Sequence, residues 1–331
     1  MPPPTSAWQR YFLCVAYHGK HFVGFQRQPK SYGASVERLI HQAYDNFVGA
    51  SNVREAYGSS RTDTGVHAFG NTLHVELRHC RQQNTELVLP PHSSQTVMKA
   101  LNFYIDSPHL TVIDCQKVST DFHARFSCTG RSYIYRVIVP LTGNYGRSLF
   151  DSETAWVFRR PGEALDVEAM RYAAKKLEGH HDFSTFRSAG CQAHSPEKHL
   201  AELSVHARRV PSGSQSMGSL AHAFEEYRLL GSPRTDLSNF QGGSVEPGAP
   251  LDADVVPEIV PAHTEVQEIL IKARAPSFLY HQVRNLVGYL VAVGQRQECA
   301  HEVEEVIRSK CRDKSPYTAP ARGLALAQVE Y

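Results

Sequence analysis

The chain has 331 residues, is 41% hydrophobic and carries a formal net charge of +2 at pH 7. That length and apolar content suffice for one large or two moderate globular domains. The longest apolar stretches, such as residues 286–293, contain Gly288 and fall short of the roughly 20 residues of a membrane span, which argues against a transmembrane helix.

Residues 1–10, MPPPTSAWQR, read as a tail, and no acid precedes Glu37. An apolar run begins at Tyr11 and leaves too little chain for an amphipathic presequence, so no targeting signal is expected. Residues 11–17, YFLCVAY, have the β-branched and aromatic content of a buried strand. Ser35 then starts a helix whose apolar positions Val36, Ile40, Ala43, Tyr44 and Phe47 follow a 3.6 period. Strands are expected at about 53–58 and 72–77. A helix from Ser93 or Ser94 aligns Val97, Leu101 and Tyr104, and LTVIDCQKV from Leu110 reads as a strand. The order is β-α-β-β-α-β, a ferredoxin-like unit.

The same order returns in the second half. Residues 131–139 read as a strand and 166–178 as a helix with Val167, Met170, Ala174 and Leu177 on one face. Strands are expected near 200–208 and 265–274, a helix over 277–293, and a closing strand in LALAQVEY. The fold class is therefore α+β: two ferredoxin-like halves, 11–120 and 121–331, forming an extended, mainly antiparallel sheet with a central cleft. Residues 211–263 interrupt the second half. They hold six Gly, six Pro and seven Ser, with seven acids against two arginines. Such a segment buries too little apolar surface to offset chain entropy and is expected to be mostly disordered, with one short helix at Leu220, Phe224 and Tyr227.

Between the two expected strands of the first half lies YGSSRTDTGVHAFGN, residues 57–71. Asp63 stands between two threonines, with Arg61 before it and Gly65 after it, the composition of a sharp turn. An Asx-turn is the ordinary reading. A carboxylate mounted on a turn between strands, with an arginine near enough to keep it ionised, is the sharper one. Between Phe122 and Arg160, six arginines (125, 131, 136, 147, 159, 160) face two acids, which points to nucleic acid. FHARF at 122–126 combines His, Arg and two aromatics, suited either to a phosphate and a stacked base or to anchoring a strand entrance. Arg284 lies in an otherwise apolar helix, where a guanidinium needs a partner.

Seven cysteines (14, 80, 115, 128, 191, 299, 311) include no CxxC pair, as expected of reduced thiols inside a cell: in the cytoplasm first, with mitochondrion or nucleus as alternatives. His180-His181-Asp182 and Cys191-x-x-His194 lack a second ligand pair, so no metal is expected. Phosphate-binding and dinucleotide fingerprints are absent, so no cofactor is expected.

Several stretches together resemble one family, the tRNA pseudouridine synthases of the TruA type. SRTDTGVHA at 60–68 looks like the family's RTDxGVHA loop, and YHGKHFVGFQRQ at 17–28 resembles its YDGxxFxGWQxQ segment, with His18 for the usual Asp and Phe25 for the usual Trp. ALNFYI at 100–105, DFHARFSCTGRSYIY at 121–135, LEGHHDFSTFRS at 177–188, FLYHQVRNLVG at 278–288 and ARGLALAQVEY at 321–331 match as well. The resemblance implies an isomerase that turns uridine in tRNA into pseudouridine without a cofactor. Asp63 would fall on the catalytic aspartate, acting as a nucleophile or as a base at C2′. Arg284 would pair with it, and Tyr133 would stack on the flipped uracil and assist removal of the C5 proton. Arg61, His123, Arg125, Arg131 and Gln26 would contact the RNA. The resemblance further implies action on the 3′ side of the anticodon stem-loop by a homodimer that tRNA spans. A catalytically silent RNA-binding or tRNA-folding protein of the same fold is the alternative. A nucleoside hydrolase using Asp63 suits the basic FHARF segment less well.

Overall fold

The computed structural model describes residues 8–81, 84–142, 151–158, 162–211, 265–315 and 317–331. These divide into two compact units, 8–129 with Gln328–Tyr331, and 130–211 with 265–327. The insertion beyond Pro211, with its expected helix at Leu220, Phe224 and Tyr227, lies outside the described residues, as do residues 1–7.

In the first unit the elements run β1 (Trp8–Tyr17), α1 (Val36–Val48), β2 (Val53–Gly58), β3 (His67–Arg78), α2 (Ser94–Tyr104) and β4 (Leu110–Val118). β1 is central, antiparallel to β3 on one side and to β4 on the other, and β2 adds to the far edge of β3. Strand alternation divides the sheet's two faces. Tyr11, Leu13 and Val15 pair with Val75, Leu73 and Asn71, and the apolar members of this set are buried. This face meets the helices: Leu73 lines a small cavity with Ile40 and Tyr44 of α1, and the Tyr11 hydroxyl donates to His92 O at the entrance to α2 (2.7 Å). The opposite face carries Phe12 and His74, which pack under Phe122.

β1 begins at Trp8, earlier than the apolar run suggests, because polar residues extend the ladder. Trp8, Gln9 and Arg10 pair with Arg78, Leu77 and Glu76. Arg10 is buried against Glu76 at 2.7 Å, and Arg54 meets the other carboxylate oxygen at 2.6 Å. Burial alone would raise the Glu76 carboxyl, but the bonds from Arg54 and Arg10 hold it below the usual range. Ser35 occupies the first cap position of α1 without donating or accepting a side-chain cap bond, whereas Ser93 accepts from Thr96 N (3.1 Å) at α2.

The second unit runs β5 (Gly130–Pro140), α3 (Val167–Leu177), β6 (Glu202–Pro211), β7 (Glu265–Ala275), α4 (Gln282–Gly294) and, as far as Ala327, β8 (Leu324–Glu330). β7 pairs antiparallel with both β5 and β6. A short strand, Trp156–Val157, adds to β5 in parallel. The fold is thus α+β and mainly antiparallel, with the β-α-β-β-α-β order in both units. α4 starts at Gln282, five residues inside the expected span, because His281 holds a left-handed φ of 60° and the Gln282 side chain accepts from Leu279 N (2.8 Å). From Asn285 to Gly294 every residue of α4 is buried.

Arg136 corrects the reading of the basic segment. It is 1% exposed and bonded to Asp151 at 2.7 Å and Glu268 at 2.6 Å, while Glu268 also meets Arg208 at 2.6 Å. This arginine belongs to the interior rather than to an RNA-facing surface. Burial would lower its pKa, and the carboxylates of Glu268 and Asp151 together push it above its ordinary value. Arg147, Arg159 and Arg160 lie outside the described residues.

Candidate active site

Asp63 sits on the turn between β2 and β3, half-buried. Local chemistry makes the turn: its backbone oxygen accepts from Val66 N at 3.1 Å, and Gly65 takes a φ of 80°. Distant residues then hold it. Asn71, fully buried, donates to Ser60 O at 3.0 Å and to the Tyr17 hydroxyl at 3.2 Å, and that hydroxyl shares a 2.7 Å bond with Thr62 Oγ1. Residues 19–25 press on the same turn. Phe25 N donates to Thr62 O (3.1 Å), Thr64 Oγ1 donates to Val23 O (3.0 Å), and Gly19 N donates to His67 Nδ1 (3.1 Å). A methyl group on Gly19 would lie 2.1 Å from Val66 O, so the approach of the two backbones requires glycine there.

The other expected residues of the first unit differ in exposure. Arg61, Gln26 and Arg125 are exposed, and His123 is half-buried. His123 lies over His74, ring centroids 4.6 Å apart, in a tight turn that follows Phe122. Its pKa is lowered, first by burial and then by the nearby Arg10 charge, which favours a neutral imidazole.

Tyr133, Arg284 and Arg131 belong to the second unit. Tyr133 is 9% exposed on β5, opposite Ala273, with its ring edge-on to Phe278 at 5.3 Å. Arg284 is half-buried, and its Nε donates to Ala319 O at 2.7 Å while its backbone oxygen accepts from Ala319 N at 3.1 Å. Arg131 donates to Pro276 O at 2.6 Å.

Sequence reasoning missed what orients Arg284. Residues 317–320 lie along α4: a methyl group on Gly288 would meet Tyr317 O at 2.1 Å, and Thr318 donates to Asn285 Oδ1 at 2.7 Å. Asn285 is fully buried and donates to Phe186 O at 2.8 Å. The Tyr135 hydroxyl donates to Pro320 O at 2.7 Å, and burial raises its pKa far above the ordinary value, so it remains a phenol. One signal was available: an Asn directly after Arg284 within an apolar helix needs buried partners.

Neither weighed metal motif is arranged as a ligand set. His180–Asp182 lie in a two-stranded ribbon, Gly179–Asp182 with Glu197–Leu200, where Asp182 bonds Ser184 and pairs with Lys310 at 2.8 Å. Cys191 Sγ accepts from Tyr280 N at 3.3 Å. No helix among the described residues is long and apolar enough to cross a membrane.

The family model described as tRNA pseudouridine synthase matches residues 13–127 and 173–331, which contain all eight residues discussed above except those of β5. Relatives called tRNA pseudouridine synthase A extend the match to nearly the whole chain. The one from Paramagnetospirillum magneticum is 34% identical over 97% of this chain and 95% of its own. That from Zymomonas mobilis is 33% identical over 97% and 99%, and that from Rhodospirillum centenum 32% over 98% and 100%. With the Asp63 turn inside the first matched segment and Arg284 inside the second, the chain belongs to the tRNA pseudouridine synthase family.

Proposed function

We propose that this pseudouridine synthase isomerises a uridine in the anticodon stem-loop of tRNA, on its 3′ side, with Asp63 as the essential carboxylate. The observation that carries the reading is the turn itself. A carboxylate is held on a backbone locked by Asn71, Thr62 and the close approach of Gly19, as a reacting group must be.

In the reaction the N1–C1′ bond breaks, the uracil rotates, and a C5–C1′ bond forms. The C5 proton is lost and N1 gains one, so the balance needs no oxidant and no donor. Asp63 either attacks C1′ or removes the C2′ proton. Tyr133 and Arg284 are the other two catalytic residues of this reading. Arg284, whose Nε donates to Ala319 O, is assigned the role of keeping the carboxylate ionised. Tyr133 stacks on the flipped base and assists transfer of the C5 proton. Arg61, His123, Arg125, Arg131 and Gln26 contact the RNA. No metal or nucleotide cofactor takes part, and the enzyme works inside the cell.

Incubation with an unmodified tRNA transcript, followed by carbodiimide labelling and primer extension, is expected to give stops confined to the anticodon stem-loop. Stops elsewhere would replace the substrate assignment, and none would favour a silent RNA-binding protein. The active species is a homodimer, so light scattering is expected to give twice the 37.0 kDa of one chain. A monomer mass with full activity would refute the dimer.

A further inference from the structure

The face of the first unit's sheet opposite Tyr11, Leu13 and Val15 carries aromatic rings and arginines. Trp8, Arg10 and Phe12 alternate along β1 and pair with Arg78, Glu76 and His74 of β3, which places all six on the same face. The Arg54 and Arg78 guanidiniums stand 4.3 and 5.4 Å from the Trp8 ring centre. At the other end of this face the rings turn outward. His74 is fully buried, His123 lies 4.6 Å above it, and Tyr57 and Phe126 lie 5.2 and 4.4 Å from His123, tilted by 31° and 36°.

Two features make this more than a frayed edge. The first is the backbone beneath Tyr57. β2 shifts register against β3 between Arg54, opposite Glu76, and Tyr57, opposite His74, and within the shift Glu55 holds a left-handed φ of 49°. A non-glycine residue adopts that conformation at a cost, and bulges of this kind re-aim side chains. The result leaves Tyr57 49% exposed beside two imidazoles. The second is the turn beneath Phe126, whose amide donates to His123 O at 3.1 Å, while Ser127 N donates to the same oxygen at 2.8 Å and His123 N donates to Ser127 Oγ at 3.0 Å. Phe126 is nevertheless 76% exposed, with the exposed Arg125 guanidinium 5.6 Å from its ring centre.

We propose that Tyr57, His123 and Phe126 form a platform on which one unpaired base of the tRNA stacks, separate from the uridine that reacts, with Arg125 holding the adjoining phosphate. The proposal rests on the reading of the chain as a tRNA-modifying enzyme. Flat, pre-set rings beside a cation are what a single-stranded nucleotide needs, and the platform asks nothing of the base's hydrogen-bonding edge. The charge on the face agrees: Arg78 and Arg125 accompany the rings, while Arg54 is paired with Glu76. The buried His74 supports the platform from below as a neutral ring. Its Nδ1 accepts from Ala124 N at 3.0 Å, and burial lowers its pKa to about 3.

The test compares tRNA affinity and turnover of the full chain with those of Tyr57→Ala, Tyr57→Phe, Phe126→Ala and Arg125→Ala, with melting temperature as the folding control. Each aromatic-to-alanine change is expected to raise Kd and KM about tenfold, while Tyr57→Phe keeps wild-type affinity. Arg125→Ala is expected to lower the slope of log Kd against log salt by about one, and Tyr57→Ala to leave that slope intact. A transcript with 2-aminopurine in the anticodon loop should be quenched by the wild type and not by Tyr57→Ala. Wild-type affinity in both alanine variants would overturn the platform. So would a change of oligomeric mass in Tyr57→Ala without a change in tRNA affinity, which would assign the face to a second copy. Absence of binding and turnover by the wild type on every tRNA would remove the functional reading and the platform together; wild-type turnover with unaffected variants would remove the platform alone.

Discussion

Asp63→Ala is expected to lose at least about four orders of magnitude in kcat while binding tRNA as tightly as the wild type. The loss is large because the reaction has no second group that can replace the carboxylate while the uracil is detached. Nothing from solution enters the balance of the isomerisation, and Tyr133 and Arg284 are proposed to act on the base and on Asp63 itself. Binding should persist because the proposed contacts are spread over Arg61, His123, Arg125 and the aromatic platform. Removing a negative charge beside a polyanion should, if anything, tighten it. The turn should keep its shape, since Asn71, Thr62, Thr64 and the Val66 amide supply bonds that the substitution does not touch. Single-turnover rates and filter-binding curves on the same transcript separate the two quantities. Loss of both together would assign Asp63 to the fold or to binding.

Arg136→Ala should be the most damaging change to stability among residues away from the proposed site. The guanidinium is 1% exposed and bonds Asp151 and Glu268, both buried. Its removal leaves Asp151 without this cation in the interior, while Glu268 keeps Arg208. Breaking one side of a buried pair costs about 3–5 kcal/mol because a charge is left uncompensated. The melting temperature is expected to fall by on the order of 10 °C. Arg136→Ala combined with Asp151→Asn should recover part of that loss, since the carboxylate left without Arg136 is gone. No recovery would mean that packing, and not charge, sets the cost.

The elements were legible because their signals are local. The apolar run of β1 and the 3.6 period of α1 follow from which side chains reach the core, and Asp166 caps α3 through Ala169 N (3.1 Å) at the start of the expected span. The Arg136 misreading arose from counting charge along the chain without asking where each residue points. Ile134 and Ile138, two positions either side on β5, are buried, and their alternation would have placed Arg136 inside with them. The extension of β1 to Trp8 depends on partners in β2 and β3 that no local pattern announces.

At the site the split is similar. The turn around Asp63 was readable from Thr, Gly and Asp, but the residues that hold it are far along the chain. Tyr17 bonds Thr62 across 45 positions and Asn71 bonds Tyr17 across 54. The bulge at Glu55, on which the aim of Tyr57 depends, carries no glycine to mark it.

The most direct test of the central claim is tritium release from an unmodified tRNA transcript labelled at uridine C5, comparing the wild type with Asp63→Asn. Forming the C5–C1′ bond expels the C5 hydrogen, so release reports the isomerisation itself. The account predicts release by the wild type and none above background by Asp63→Asn at equal tRNA occupancy. Equal release by both proteins would contradict the role of Asp63, and tight binding without release by the wild type on any tRNA would contradict the enzyme.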